Sequence, residues 1–253
     1  MNTFVCSDIH GEYEAWMQAL KKSKLNLEAG DRLILIGDLI DRGKGSLKCL
    51  TYVFKLMEKY PSQVTYLMGN HEEIFLDFVN RPKPDNQFDY MEMMRSGERW
   101  IRNGGLATVQ SMFDESFESY YDLYEMLNKK YVDLIQKMND LPLYLIDDDN
   151  RCVYVHAGFK SGVPLSKQKR EDMLWIRHEF YKQFKAISGD VLNDKLIIHG
   201  HTPVKYFSDW NGEGYYHGGH HLCIDGGAYD GGAILVLKVE DLSFVEVSCD
   251  KLI

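Results

Sequence analysis

Short apolar runs that end in a polar turn recur along the first half of the chain. Three of them cover residues 3–6, 33–36 and 64–68, and each is followed by small or polar residues. Such a run is typical of a buried strand that leads into a turn. Apolar residues at helical spacing predict helices between these runs, over residues 13–23 and 47–60. The predicted order is therefore strand, helix, strand, helix, strand.

The second half of the chain adds five predicted strands, over residues 152–155, 196–198, 222–224, 233–239 and 244–247. A short polar turn joins the last two, which predicts an antiparallel pair. Strands that alternate with helices in one half and follow one another in the other predict an α/β fold with a mixed sheet or two packed sheets.

A proline-containing stretch at residues 81–86 interrupts the helical pattern and opens a region rich in Tyr, Met and acidic residues. We expect a mostly helical insertion between strands at about 80–141. Glycine and proline are not concentrated in any linker, and 253 residues suit one large domain. The sequence therefore predicts a single domain that spans residues 1–253.

The charge and cysteine content narrow the classes of partner. Asp and Glu number 38 against 29 Lys and Arg, and the net charge of −9 argues against binding to nucleic acid. There is no signal-peptide pattern, and no window approaches about 18 consecutive apolar residues, so we expect no membrane partner. Five cysteines without a CxxC pair do not suggest a disulfide framework, which favours a cytoplasmic location.

Polar motifs follow five of the predicted strands: DIHG, GDLIDRG, GNHE, HAG and HGHTP. Ligands of open α/β sheets gather at the carboxyl ends of strands. We therefore expect the five loops to converge on one crevice. The candidate metal ligands in them are Asp8, His10, Asp38, Asn70, His156 and His201.

This ligand set contains no thiolate, which disfavours a closed structural zinc site and favours ions with open positions. Six ligands exceed what one such ion takes, but they suit two ions about 3.5–4 Å apart that share a carboxylate. We expect two divalent cations. Mn²⁺ is the preferred identity of both, and Fe, Zn or Ni are the alternatives.

Two neighbouring cations lower the pKa of a shared water and neutralise a phosphoryl group, which predicts hydrolysis of phosphate esters by a metal-bridging hydroxide. The leaving oxygen needs a proton, and His71, held by Asp41, is the candidate donor. Arg42 and Arg177 are candidates to bind the phosphoryl oxygens through paired N–H groups.

In their order, the five motifs resemble the signature of the phosphoprotein phosphatase branch of the calcineurin-like metallophosphoesterases, in its short bacterial and phage form. The resemblance runs from Asp8 to about Gly227, although Ser7 stands where the family usually has glycine. It implies an αββα sandwich of two mixed β-sheets flanked by helices. By this resemblance, the first metal is held by Asp8 and His10, Asp38 bridges, the second metal is held by Asn70, His156 and His201, His71 with Asp41 is the acid, and Arg42 and Arg177 bind phosphate.

The resemblance implies a Ser/Thr protein phosphatase, or one of dual specificity that also acts on phosphotyrosine, with phosphoproteins or small phosphoesters as substrates. Symmetrical cleavage of dinucleoside tetraphosphates is the alternative reaction, because members with that activity share the motifs. An inactive binding module of the same fold is the alternative outside enzymes. Retention of the proton donor beside all the ligands speaks against a binding module.

Several of these residues have simpler interpretations. Asp41 could cap the helix near Ser46, Arg42 could form a surface ion pair, and Arg177 could lie on a solvated helix face. The histidines at 217–221 favour a loop over a third metal site, and residues 225–227 favour a structural turn near the metals. The run WIRNGG at 100–105 also resembles bacterial relatives, but it receives no role.

Overall fold

The computed structural model describes residues 1–249. Its first half consists of β1 Thr3–Cys6, α1 Tyr13–Ser23, β2 Arg32–Leu35, α2 Ser46–Lys59, β3 Val64–Tyr66, α3 Asn70–Val79, α4 Gln87–Trp100, α5 Leu106–Met112, α6 Tyr120–Lys130 and α7 Val132–Asn139. Its second half consists of β4 Tyr144–Asp147, β5 Cys152–Val155, α8 Arg170–Trp175, α9 His178–Gln183, β6 Leu196–His199, β7 Tyr216–His217, β8 His221–Cys223, β9 Ala233–Lys238 and β10 Phe244–Ser248.

The strands form two mixed sheets. The first has the order β10-β9-β1-β2-β3, in which β1, β2 and β3 are parallel and β9 is antiparallel to both β1 and β10. The second has the order β4-β5-β6-β8-β7, in which β5, β6 and β8 are parallel and the two edge strands are antiparallel. The parallel strands of each sheet therefore end at a common edge.

The alternation of side chains in β1 explains how the layers pack. Phe4 and Cys6 belong to the apolar cluster that the first sheet forms with the helices, whereas Val5 belongs to the cluster between the two sheets. Successive side chains of a strand point to opposite faces, so a strand with helices on one face and a second sheet on the other is apolar throughout. Phe159 and Phe180 lie in a third cluster on the outer face of the second sheet. The predicted αββα sandwich is confirmed.

The region between α3 and β4 is helical, as predicted. Its helices α4 to α7 share the main apolar cluster with the first sheet, because Met93, Trp100, Leu127 and Met138 are buried in the same cluster as Phe4. The insertion thus has no separate core among the described residues. The prediction of one domain over 1–253 includes residues 250–253, which lie outside the described part, and it stays a prediction.

Most predicted strands are present with shifts of one or two residues at their ends. The antiparallel pairing of β9 with β10 is confirmed. Two edge strands, β4 and β7, were not predicted: the side chains of β4 are half-buried at three of four positions, and β7 has only two residues. Within residues 1–249, no helix is long and apolar enough to span a membrane.

Candidate active site

A pocket at the carboxyl ends of the parallel strands collects most of the predicted site residues. It is lined by Asp8, His10, Asp38, Arg42, Asn70, His71, Arg177, His201, Pro203, Tyr206, Asp225 and Tyr229. The other two predicted residues, His156 and Asp41, are fully buried behind this lining. The loops after β1, β2, β3, β5 and β6 therefore converge as expected.

The backbone is unusual at these loops. A left-handed conformation, with φ between 46° and 71°, occurs at Asp8, His10, Asp38, Asp41, Arg42 and His201. A residue other than glycine in this conformation costs about 1–3 kcal/mol, and such residues cluster at functional sites, where the surrounding structure holds them. The turns after β1, β2 and β6 thus carry strain at residues that line the pocket or, in the case of Asp41, lie directly behind its lining.

Asp38 lies at the centre of the cluster. Its Oδ2 is 3.7 Å from Nε2 of His10, and its Oδ1 is 3.5 Å from Nε2 of His156. Ligand atoms of His10, Asp38 and His71 lie within 4.8 Å of one another, and so do those of Asp38, His156 and His201. Asp38 is the member common to both groups, which is the position that a carboxylate shared by two ions would take.

Backbone carbonyls orient the rings of two histidines. Nδ1 of His10 donates to the carbonyl of Ile40 at 2.9 Å, and Nδ1 of His156 donates to that of Ile36 at 2.9 Å. The other nitrogen of each ring, Nε2, lies within 4 Å of an Asp38 oxygen, and in the neutral His10 ring it carries the lone pair. Burial, followed by the positive potential of His71 and Arg42, lowers the pKa of His10 well below its usual value. A neutral imidazole oriented by an outer hydrogen bond is ready to bind a metal.

Asn70 begins α3, and its side-chain oxygen lies between His156 and His201. Its Oδ1 is 2.8 Å from Nε2 of His156 and 2.8 Å from Nδ1 of His201. Nε2 of His201 is buried and has no hydrogen-bond partner among the described residues. Burial, together with His156 and Arg177, lowers the pKa of His201. These three side chains form a compact set of potential metal ligands.

Asp8 is oriented by its neighbours. Its carboxylate accepts the backbone N–H of His201 at 3.0 Å and also contacts the hydroxyl of Ser7. A Cβ added at Gly200 would lie 2.0 Å from the Asp8 carboxylate, so the central glycine of the HGH motif permits this approach. Asp8 lines the pocket but is not in either of the two tight ligand groups.

Buried carboxylates crowd this pocket. Burial and the nearby charges of Glu72 and Asp8 raise the pKa of Asp38 well above its usual value, although His71 opposes the shift. Burial and Asp8 likewise raise the pKa of Asp225, whose Oδ1 accepts the N–H of Gly227 at 2.8 Å. Divalent cations would neutralise this excess of negative charge, so the residues present fit a metal centre.

His71 and Asp41 form a buried pair beside the cluster. Nδ1 of His71 lies 2.8 Å from Oδ2 of Asp41, and its Nε2 lies 4.0 Å from Oδ2 of Asp38. Burial lowers the pKa of His71, but the two carboxylates more than offset burial, and the net shift is upward. Asp41 does not cap α2: its backbone N–H donates to Ser46 Oγ at 3.1 Å, while its carboxylate faces His71.

The two arginines lie at the mouth of the pocket. Nη1 of Arg42 is 3.0 Å from Nε2 of His10, and its guanidinium stacks at 3.8 Å on the ring of Tyr229. Arg177 lies in the turn between α8 and α9, not on a helix face, and Nη1 donates to the carbonyl of His201 and the hydroxyl of Thr202, both at 3.0 Å. Both side chains line the pocket, and each guanidinium has further N–H groups besides Nη1.

Glu72 has a structural role that was not predicted from the sequence. It is fully buried, and its carboxylate accepts the N–H groups of Asp38 and Leu39, each at 2.8 Å, and that of Gly69 at 3.0 Å. It therefore holds the loop after β2 against the start of α3. Its place as the last letter of the GNHE motif was the available signal.

The remaining histidines do not form a further metal group among the described residues. His217 and His220 are exposed, whereas His221 is buried and its Nδ1 lies 2.9 Å from Nε2 of His199. His199 in turn lies 3.1 Å, through Nδ1, from the carbonyl of Gly200. The expectation of a loop at 217–221 is wrong in part, because residues 216–217 and 221–223 pair as β7 and β8.

Comparison with known proteins places the chain in a family. The model of the calcineurin-like phosphoesterases matches residues 1–237. The bis(5'-nucleosyl)-tetraphosphatase PrpE (asymmetrical) of Anoxybacillus flavithermus is 25% identical over 96% of this chain and 92% of that protein. The protein of the same name from Bacillus cereus is also 25% identical, with the same coverage.

Solved structures share the fold. A putative diadenosine tetraphosphatase superposes with a TM-score of 0.67 at 12% identity, over 99% of this chain and 94% of that one. A protein serine/threonine phosphatase from Saccharomyces cerevisiae gives a TM-score of 0.55 at 13% identity, over 100% of this chain and 81% of that one. The chain therefore belongs to the calcineurin-like phosphoesterase family, and it is a metallophosphoesterase, a hydrolase.

Proposed function

We propose that the protein hydrolyses phosphate monoesters with two bound divalent cations, and that its substrates are phosphoserine and phosphothreonine in proteins. The observation that supports this proposal most strongly is that the buried His71–Asp41 pair lies beside a cluster in which Asp38 belongs to two groups of potential metal ligands. The residues that would hold the ions are Asp8, His10, Asp38, Asn70, His156 and His201.

Bound cations would supply Lewis acidity at the phosphoryl group and lower the pKa of a coordinated water. The ligand set of oxygen and imidazole groups suits Mn²⁺, and Fe, Zn or Ni are alternatives. Burial of the His10 and His201 rings keeps them neutral, as metal binding requires.

Arg42 and Arg177 bind the phosphoryl oxygens in this proposal. The guanidinium of Arg42 stacks on the ring of Tyr229, and Nη1 of Arg177 donates to the hydroxyl of Thr202. These contacts hold each side chain in place and leave its other N–H groups for a substrate. Arginine presents its donors in a fixed fork that matches phosphate geometry. This orients the ester and stabilises the charge on its oxygens as the bond breaks.

His71 donates the proton to the leaving oxygen. Asp38 and Asp41 raise its pKa despite burial, so a larger fraction is protonated near neutral pH. Asp41 accepts a hydrogen bond from Nδ1–H, which leaves Nε2–H to face the leaving group. The alkoxide of serine or threonine is a poor leaving group, and a built proton donor is of most use for such an ester.

A dinucleoside tetraphosphate is the second candidate substrate. The PrpE relatives named above carry this activity, in its asymmetrical form, in their names. Tyr206 and Tyr229 line the pocket and are 61% and 40% exposed, so they could contact a base. The leaving group of a phosphoanhydride is already a stabilised anion, however, and needs a proton donor less than a serine ester does.

A substrate panel tests the proposal. Protein stripped of metal and reloaded with Mn²⁺ is offered a phosphoserine peptide, a phosphotyrosine peptide, p-nitrophenyl phosphate and diadenosine tetraphosphate. We expect the highest kcat/KM on the phosphoserine peptide. Faster release of AMP and ATP would favour asymmetrical cleavage of the nucleotide, and faster release of ADP alone would favour symmetrical cleavage.

A further inference from the structure

We propose that the helical insertion contributes two positioning residues, Trp100 and Thr108, which hold Asp41 in the orientation that His71 needs as a proton donor. This inference rests on the proposed function. It assigns a part in catalysis to the WIRNGG run and to the start of α5, neither of which faces the pocket.

Asp41 is fully buried, and its two oxygens have different partners. Oδ2 lies 2.8 Å from Nδ1 of His71. Oδ1 accepts the indole N–H of Trp100 at 3.0 Å and the hydroxyl of Thr108 at 2.7 Å. Both donors are fully buried, so water does not compete for them. Because Trp100 and Thr108 both donate to Oδ1, the carboxylate is held in the orientation in which Oδ2 faces His71.

The hydroxyl of Thr108 also fixes the backbone at Asp41. It accepts the N–H of Asp41 at 2.9 Å while it donates to the carboxylate of the same residue. Ser46 Oγ lies 3.1 Å from the same N–H. Asp41 is in the left-handed conformation, with φ of 70°, and these contacts help to hold it there. A single hydroxyl therefore restrains both the main chain and the side chain of Asp41.

The same segment holds Arg42. The carbonyl of Gly104 accepts the backbone N–H of Arg42 at 3.0 Å. Gly104 has φ of 104°, and a Cβ there would lie 2.7 Å from Cγ of Arg42, so glycine is needed for this approach. The insertion thus contacts both consecutive residues of the motif after β2, the one that orients the acid and the one that binds phosphate.

The chemical consequence concerns the leaving group. A buried carboxylate with one unsatisfied oxygen can rotate or take up other partners, and each such state misplaces the Nδ1 bond of His71. Protonation of the leaving oxygen then weakens, while binding and attack are little affected. Loss of either donor should therefore matter for an ester with a poor leaving group and hardly for an ester with a good one.

The test compares phenyl phosphate, which has a poor leaving group, with p-nitrophenyl phosphate, which has a good one, in the full-length protein loaded with Mn²⁺. Trp100→Phe removes the indole N–H and keeps a ring, and Thr108→Val removes the hydroxyl and keeps the shape. Each should lower kcat on phenyl phosphate about tenfold more than kcat on p-nitrophenyl phosphate, since a hydrogen bond to a charged group is lost.

Matched controls separate positioning from packing. Thr108→Ser restores the hydroxyl, and Trp16→Phe makes the same ring change at another buried tryptophan, which packs on Tyr52. Both controls should keep the wild-type ratio of the two rates. Equal losses on both esters in a variant that melts like the wild type, or no loss on either, would overturn the inference.

The same measurements distinguish failure of the proposed function from failure of the inference about Trp100 and Thr108. If the wild type hydrolyses neither ester, or if His71→Asn leaves the ratio unchanged, the proposed function fails and the inference fails with it. If His71→Asn shifts the ratio as expected but Trp100→Phe and Thr108→Val do not, only the inference fails. Should one of the two variants not fold, the other still decides.

Discussion

Oδ2 of Asp41 lies 2.8 Å from Nδ1 of His71, and the exposed fractions of these side chains are 0% and 2%. The two residues belong to different motifs, 30 positions apart, that follow the neighbouring parallel strands β2 and β3. A buried imidazole–carboxylate pair beside a cluster of metal-type ligands is an arrangement suited to general acid catalysis.

His71→Asn should lower kcat for phosphoserine peptides and phenyl phosphate by about a hundredfold to ten-thousandfold, since general acid catalysis typically contributes that much. p-Nitrophenyl phosphate should lose far less, because its leaving group needs no proton. Steady-state kinetics on the esters gives the comparison. The metal content, measured by mass spectrometry, should equal that of the wild type, and unchanged turnover of phenyl phosphate would remove His71 from the mechanism.

Asp38→Asn should weaken the binding of both ions, because Asp38 is the carboxylate common to the two ligand groups. The loss of one negative charge between two cations reduces their affinity more than a change at the rim would. Calorimetric titration of the metal-free protein with Mn²⁺ measures this directly. Two intact binding steps of wild-type affinity in the variant would contradict the shared position of Asp38.

Arg177→Ala should raise KM for phosphate esters by about tenfold or more, because charge-assisted hydrogen bonds to the phosphoryl group are lost. Inhibition by inorganic phosphate should weaken in parallel. Arg102→Ala is the matched control, since Arg102 is exposed and pairs with Glu98 on the surface of the insertion. A rise in KM of the same size in both variants would show that bulk positive charge, and not Arg177 itself, binds the substrate.

His221 should make stability depend on pH. Burial, the largest effect, lowers its pKa from 6.5 to about 4 in the folded protein. Between these two values the unfolded chain binds a proton that the folded protein does not, so the free energy of unfolding falls as the pH decreases through this window. The free energy of unfolding decreases by at most about 3 kcal/mol, and this decrease is complete once the pH is below the pKa of His221 in the folded protein.

Urea denaturation of the metal-free protein at about pH 7 and about pH 4.5 measures this loss. His221→Asn should lose less stability between the two pH values than the wild type, whatever its stability at neutral pH. Because both proteins keep the other buried histidines, the contribution of those residues to the pH dependence is the same in both and cancels in the difference. An identical loss in the variant would mean that His221 does not titrate as its burial implies.

Several features could be predicted because they depend on local patterns. An apolar run followed by a polar turn identifies a strand and the loop that carries the ligands, and this holds for Asp8 and Asp38. The edge strands β4 and β7 could not be recognised in this way. Their partners come only with the fold, and a half-exposed or two-residue strand has no apolar run of its own.

The chain by itself determined the kind of residues that meet at the pocket, because each motif sits directly after its strand and parallel strands end at one edge. Only the tertiary structure decided which other side chains hold the pocket residues in position. Trp100 and Thr108 reach Asp41 from 59 and 67 positions away, and Glu72 reaches the loop after β2 from 34 positions away. Contacts of that range depend on how helices pack on a sheet, and no local pattern encodes such packing.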